Sequence, residues 1–414
     1  MIQRILSIIL LSLICQPVEA ADPSPTFHHD NQRTGRSANT VASSRVLLWS
    51  YQTGGSIDAS PVIAPDGTIY IASTDNRLYA FSPEGDLRWT FTAQENIFST
   101  PSLGNDGTIY LADLTGRYYA LNPDGTQKWV HPLLEGSDRR VVASPLVGAD
   151  GRSYLGSWNN YFYALTSGGA EAWKVKLEGM ISSPASMDPE GNIFLATMDD
   201  WEDTETEWDD LRLAVYKFSS GSSAPVWKFN ETIDLHRNRI IAATAIDYDR
   251  GQLYVGVSKE SSGGLYALQW SDGSKKFETQ LPKGIVSSPA IGADGTIYVG
   301  CLDGKLYAVD WVTAGVKWSF STGAYYILGS PTVDAAGTIY IGDSDGVLHA
   351  LSPGGQELWR FSANSNIASA PAIGNNGTLY LTSYDGSVYA IGAPTQRYWR
   401  GLYRRNSPTH RQRP

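Results

Sequence analysis

Cysteine is nearly missing from this 414-residue chain, which has only Cys15 and Cys301. Cys15 falls in a leader-like start, so Cys301 would stand alone in the mature protein. One thiol forms no internal disulfide, and stability in an oxidising compartment must then come from packing. Charge is also sparse. Asp, Glu, Lys and Arg make up 18% of residues, below the roughly 25% of an average soluble domain. The formal net charge of -10 excludes a general nucleic-acid binder, because phosphate affinity needs lysine and arginine in excess. After the first twenty residues no apolar run approaches the ~18 residues of a membrane-spanning helix. The six histidines include no HExxH pair, and no GxSxG, Walker or dinucleotide glycine pattern stands in a strand-to-helix context. No catalytic residue is assigned.

What is abundant is glycine (41), tyrosine (23) and tryptophan (13), a composition that favours sheets joined by tight turns. The first twenty residues read as a cleavable signal peptide: Arg4, an apolar run from Ile5 to Ile14, and Val18-Glu19-Ala20 as the cleavage site, with the cut after Ala20. The expected location is the periplasm or outside the cell. Ile14 before Cys15 is not the small residue a lipid-attachment site needs, so no lipid anchor is expected.

Self-similarity decides the fold class. DGTIY stands at 66–70, 106–110 and 294–298, with variants at 150–154, 190–194, 250–254, 336–340 and 376–380, eight copies in all. An apolar strand precedes each, usually opening on Ser-Pro or Ala-Pro (Ser60-Pro61, Ser144-Pro145, Ser183-Pro184, Ser288-Pro289, Ser330-Pro331, Ala370-Pro371). A second Asp-Gly hairpin leads into a strand ending in Tyr-Ala, and a fourth strand carries an aromatic. Four short strands per unit of about 40 residues describe a propeller blade, an architecture shared with WD40 repeats. Eight copies of the first three strands meet only seven internal fourth strands, and the missing one is Leu47-Leu48-Trp49-Ser50-Tyr51. The reading is an all-β, eight-bladed propeller over 45–393, closed by the N-terminal strand. It is flanked by an N-terminal arm (21–44) and a basic C-terminal arm (394–414), and expected to be a monomeric ring.

The stretches AFSPEGDLRW (80–89), ALNPDGTQKW (120–129), ALTSGGAEAW (164–173) and ALSPGGQELW (350–359), with ALQWSDGSKKF (267–277) and AVDWVTAGVKW (308–318), resemble the tryptophan docking motif of the pyrroloquinoline-quinone (PQQ) repeat propellers. The resemblance implies that Trp49, Trp89, Trp129, Trp173, Trp227, Phe277, Trp318 and Trp359 pack between neighbouring blades. That family contains quinoprotein dehydrogenases and the BamB-like propeller of outer-membrane barrel assembly. The dehydrogenases carry an adjacent cysteine pair, calcium-binding carboxylates and long loops. This chain has no Cys-Cys, and six of its eight units have loops of minimal length. The expectation is a non-catalytic, BamB-like scaffold without a cofactor. The alternatives are a small PQQ- and calcium-dependent oxidoreductase and a carbohydrate-binding module.

Candidate binding residues are sought on the face shared by the loops entering each first strand and those joining second to third strands. These are Arg139, Arg140, Trp158, Asn159, Tyr325, Tyr326 and Tyr384, with His236, Arg237 and Arg239 before blade 5. Arginine and aromatics together suit a peptide or a glycan, and the same residues could equally pack the rim. The expected partner is a protein or polysaccharide of the cell envelope.

Blade 4 adds an acidic loop, 199–210, with eight carboxylates around Trp201 and Trp208. It reads as a solvated insertion, as a calcium site through Asp199, Asp200, Asp203, Asp209 and Asp210, or as a partner-binding loop anchored by the two tryptophans. His28-His29-Asp30 is placed outside the ring in a mobile arm. The C-terminal segment carries six arginines and no acid, packing on the propeller or attaching to an anionic surface.

Overall fold

The computed structural model describes residues 25–133, 138–198, 212–232, 242–259 and 262–394. They form eight four-stranded antiparallel sheets. Blade 1 runs from Val62–Ile63 to Leu87–Thr92, blade 2 from Ser102–Leu103 to Gln127–Pro132, and blade 3 from Leu146–Val147 to Glu171–Lys176. Blade 4 runs from Ser186–Met187 to Pro225–Thr232, blade 5 from Ala245–Asp247 to Lys275–Leu281, blade 6 from Ala290–Ile291 to Val316–Ser321, and blade 7 from Thr332–Val333 to Glu357–Ser362. Blade 8 has three strands of its own, Ala372–Ile373, Leu379–Thr382 and Ser387–Gly392, and takes Val46–Gln52 as its fourth. Val46 stands opposite Gly392 and Tyr51 opposite Val388 in that closing pair. The eight-bladed reading and its N-terminal clasp hold.

The second strand is buried along its length and the third after its first residue, whereas the fourth alternates half-buried and exposed positions, as in blade 1. Each core is therefore a stack between blades. The indole Nε1 of Trp49 donates to Pro83 O (2.9 Å), Trp89 to Pro123 O (3.1 Å), Trp129 to Ser167 O (2.9 Å), Trp173 to Ser220 O (3.3 Å), Trp227 to Trp270 O (3.1 Å) and Trp318 to Pro353 O (3.0 Å), each in the following blade. Phe277 lacks the donor and packs, like Trp311, against the buried core shared by blades 5 and 6. Trp359 faces blade 8, which the N-terminal strand completes, and the Arg45 guanidinium lies over its ring, 5.2 Å from the centroid.

A turn glycine lies under most of these indoles. At Gly125 (φ +85°) an added Cβ would stand 2.6 Å from Trp89 Cδ2. Gly125→Ala is expected to cost about 1–3 kcal/mol in urea denaturation through positive φ and displaced indole; an unchanged midpoint would mean that this contact is not tightly packed.

The Ser-Pro openings also connect blades. Ser60 N donates to Thr100 Oγ1, Thr100 N to Ser144 Oγ, Ala243 N to Ser288 Oγ, Ser288 N to Ser330 Oγ, and Ala370 N to Ser60 Oγ across the seam. Each hydroxyl takes an inward-pointing donor that would otherwise lack an acceptor. Ser183-Pro184 departs from this register: Met187, not Pro184's neighbour, aligns with Leu103, so Pro184 occupies the position of Thr100. Ser183 Oγ reaches Ala242 O instead.

The arm preceding the clasp is not the loose external segment its polarity suggests. Residues 25–42 run along the inner ends of the first strands and contact seven blades. Leu103 N donates to Pro25 O, Met187 N to Asn31 O, Ile246 N to Gln32 O, Ile291 N to Thr34 O and Val333 N to Gly35 O, all within 2.7–2.9 Å. Asn31 Nδ2 donates to Val147 O and Ala42 N to Gly377 O. A propeller leaves the inner edge of every first strand unpaired, and the arm satisfies these donors around the ring.

Arg33 anchors the arm and is fully buried. Its Nε donates to Ala185 O (3.0 Å), Nη2 to Pro145 O (3.1 Å), and Nη1 to Phe27 O (2.6 Å) and Thr26 Oγ1. Burial lowers its pKa to about 9, against the pull of Asp30, leaving it charged at neutral pH. His28, also buried, lies between Arg33 O and Pro331 O (2.7 and 2.8 Å), and burial pushes its pKa down to about 4. These contacts correct the placement of His28-His29-Asp30 outside the ring. They are packing residues of an axial plug.

Candidate functional site

The loops entering first strands and those joining second to third strands meet on one face. Thr74 N donates to Ser56 O, Leu114 N to Asn96 O, Trp158 N to Arg140 O, Leu302 N to Gly284 O, Ser344 N to Tyr326 O and Tyr384 N to Asn366 O. These pairs fix the rim of the central channel. The arm closes the other end, so the channel becomes a cavity of 410 Å³ lined by Phe27 from the arm and by residues entering the first strands.

The repeat aligns one wall position around this mouth. It follows a buried aliphatic residue in seven described units: Asp58 after Ile57, Phe98 after Ile97, Val142 after Val141, Ser182 after Ile181, Val286 after Ile285, Leu328 after Ile327 and Ala368 after Ile367. All seven line the cavity. Asp58 is the single carboxylate among them. Tyr384 and Ser56 hydrogen-bond it, while burial raises its pKa above the ordinary carboxylate value. Burial likewise pushes the Tyr384 hydroxyl up, with Asp58 adding to the effect.

Of the predicted binding residues, Arg140, Trp158 and Tyr384 line the cavity. The Arg140 guanidinium lies 4.1 Å from the Trp158 ring centroid and pairs with Asp138 through Nε and Nη2. Trp158 is only 9% exposed, a platform under Arg140 rather than a free anchor. Asn159 is buried, donating to Tyr163 OH (2.7 Å) and accepting from Tyr161 N (3.0 Å); it shapes the turn. Tyr326 packs edge-on to Tyr325, which is 86% exposed. Arg139 is exposed on the rim. Trp201, Trp208, His236, Arg237, Arg239 and Asp199, Asp200, Asp203, Asp209 and Asp210 lie outside the described residues, as do residues 1–24 and 395–414.

Sequence reasoning missed Asp58 and Phe27. The signal for Asp58 was present, since the repeat places mainly apolar residues at its position. Phe27 gave no such signal, because only the folded arm brings it to the axis.

The family described as outer membrane protein assembly factor BamB matches residues 31–146 and 212–399. This chain belongs to that family. The match begins within the axial plug and covers most of the ring. Among solved structures, BamB from Moraxella catarrhalis aligns with a TM-score of 0.66 at 18% identity, over 84% of this chain and 100% of that one. A europium-containing methanol dehydrogenase aligns with a TM-score of 0.74 at 13% identity, over 90% and 98%. The quinohemoprotein alcohol dehydrogenase from Comamonas testosteroni aligns at 0.75 and 14% identity, over 90% and 81%. At these identities the structural likeness concerns the fold alone. Among curated protein sequences none matches the chain.

The dehydrogenase neighbours raise the question of a quinone and a metal ion. PQQ is a tricarboxylate, and binding it in a low-dielectric cavity calls for several cations. Among the described lining residues Arg140 is the one cation, already paired with Asp138. No described cluster of three or more histidine, cysteine or acidic residues could hold a metal ion. The described donors of the mouth do not fit the pair, and Cys301 is buried between blades, its thiol pushed up to about 12.

One buried titratable cluster lies apart from the cavity. His349 Nε2 meets Asp343 Oδ2 at 3.0 Å and Nδ1 meets Glu357 Oε1 at 2.7 Å. Burial alone would lower the imidazole pKa, but the two carboxylates outweigh it and raise the value. Sister blades place tyrosine here, as in Tyr119 to Asp113 (2.8 Å) and Tyr307 to Asp303 (2.7 Å). A raised folded pKa gives stability that is full below the unfolded value of about 6.5 and lost as pH rises through the folded one. His349→Tyr is expected to remove this alkaline loss, worth about 1.5–3 kcal/mol for charged hydrogen bonds, in denaturation curves taken from pH 6 to 9. An unchanged pH slope would show that His349 is neutral throughout.

Proposed function

We propose that this protein is a non-catalytic scaffold of the cell envelope that binds a protein partner through the loop face. The observation that carries the reading is the channel mouth: an apolar cavity with a stacked arginine–tryptophan pair on its rim and no described constellation for redox chemistry. Membership of the BamB family supports a role in an envelope assembly. The leader-like N-terminus supports export, with Ala20 as the last residue removed.

Arg139, Arg140, Tyr325, Tyr326 and Tyr384 are the described residues we assign to the binding face, with Trp201, Trp208, His236, Arg237 and Arg239 on the adjoining loops. A photo-crosslinking residue at position 325 or 139 should capture an envelope protein in cells, whereas one at the outer-strand position 316 should not. Equal capture from both sides would refute a dedicated face.

The oxidoreductase reading has its own test. The mature protein, incubated with PQQ and calcium, is expected to show neither a raised Tm nor dye-linked alcohol or sugar oxidation; both together would replace the scaffold reading. Retention on envelope glycans would favour a carbohydrate partner over a protein.

A further inference from the structure

Asp58 is the unexplained group of the channel mouth. Six described wall positions equivalent to it carry Phe98, Val142, Ser182, Val286, Leu328 and Ala368, so this repeat builds its wall from uncharged side chains. A carboxylate in that setting is costly unless a partner compensates it. Its described neighbours are two hydroxyls, those of Tyr384 and Ser56, which donate hydrogen bonds and supply no charge. Arg140, from blade 3, is a quarter-turn around the ring and already committed: Asp138 takes two of its guanidinium nitrogens and Trp158 its face. Among the described residues the charge left for recognition is therefore negative, at one side of an apolar chamber that the arm closes from beneath.

We propose that the channel mouth receives a lysine side chain of the protein partner, its alkyl stem against the apolar wall and its ammonium on Asp58. Lysine fits better than arginine. An ammonium has three donors, which the two oxygens of Asp58 and the Tyr384 hydroxyl oxygen beside it can satisfy; a buried guanidinium has five and needs more acceptors than this wall offers. The stem of four methylenes matches a wall of aliphatic and aromatic carbon. This inference rests on the loop face being the binding face, and names the chemistry it recognises there.

The test needs no identified partner. The mature protein would be titrated by NMR or calorimetry with Nα-acetyl-lysine methylamide and with Nα-acetyl-norleucine methylamide, which keeps the stem without the charge. Lysine amide is expected to bind about tenfold or more tightly, as a charge-assisted hydrogen bond would give. Asp58→Asn should erase that preference. Ala368→Phe, which installs the residue blade 2 has at the same wall position, should weaken both ligands by narrowing the chamber while leaving Asp58 intact.

Equal binding of the two amides, a preference that survives Asp58→Asn, or no binding of either at millimolar concentration would each overturn the proposal. A negative result would leave crosslinking from position 325 free to succeed. Conversely, lysine-amide binding with no crosslinked partner would refute the loop-face reading and leave the chamber's chemistry standing.

Discussion

A chain lacking residues 21–52 is expected to lose its native cooperative melting transition, with a Tm lowered by more than about 10 °C or no soluble ring at all. The deletion removes the fourth strand of blade 8, whose pairing with Ser387–Gly392 runs from Val46 to Gln52, and leaves that strand's edge open to solvent or to another chain. It also removes Trp49, which bonds to blade 1 through Pro83 O, and Tyr51, whose ring meets Phe81 edge-on at 4.9 Å. The seam would then be held only by the inner strands of blades 8 and 1, through contacts such as Ala370 N to Ser60 Oγ and Thr382 Oγ1 to Ala59 O. For a domain of this size, each kcal/mol lost moves Tm by roughly 2–4 °C or less, so a fall above 10 °C reports the loss of several kcal/mol. Deleting 21–44 alone keeps the clasp and should give an intermediate loss. If the shorter chain melted like the intact one, neither clasp nor plug would matter to the ring.

Replacing Arg33 by methionine should cost on the order of 3 kcal/mol or more, because it strips donors from several buried acceptors at once. Ala185 O, Pro145 O and Phe27 O each take a guanidinium hydrogen bond, and they belong to blade 4, blade 3 and the arm. Methionine fills much of the space but offers no N–H, so the loss is one of satisfied polar groups rather than of volume. Arg33→Lys should recover only part, since one ammonium cannot span the same separated carbonyls. Urea denaturation checks both variants, and amide exchange at Met187 and Ile246, which donate to arm carbonyls, should quicken in the methionine variant. A change within about 0.5 kcal/mol would mean that the plug contributes little.

The contrast between the clasp and the plug shows how far this sequence could be read. The clasp was legible because repetition supports arithmetic. Eight DGTIY-like turns and seven internal fourth strands leave one strand unaccounted for, and Leu47–Tyr51 has the required pattern and tryptophan. The inter-blade indoles were legible for a similar reason, since a large flat residue recurring at the end of every fourth strand has one place to go. Repetition also reveals its exceptions. Asp58 breaks an otherwise uncharged column, and His349 breaks a column of tyrosines; the first lies at the mouth, the second joins Asp343 to Glu357 within blade 7. Ser183-Pro184 warned in the other direction, for it matches the repeat by eye and sits one residue out of register in space.

The sequence by itself determined the all-β class, the number of blades and their closure, because those follow from local strand and turn preferences repeated along the chain. Only the tertiary structure decided where the arm goes and what it makes of the channel. Phe27-His28-His29-Asp30 is polar and unrepeated, and resembles a surface segment when its neighbours are those in sequence. Its actual partners lie far along the chain: His28 reaches Pro331 and Arg33 reaches Ala185, 303 and 152 residues away. A ring brings the inner edges of all its first strands to one axis, and that convergence supplies the acceptors that allow a charged residue to be buried there. The same closure turns seven separate wall positions into one chamber, with Asp58 as its single described carboxylate.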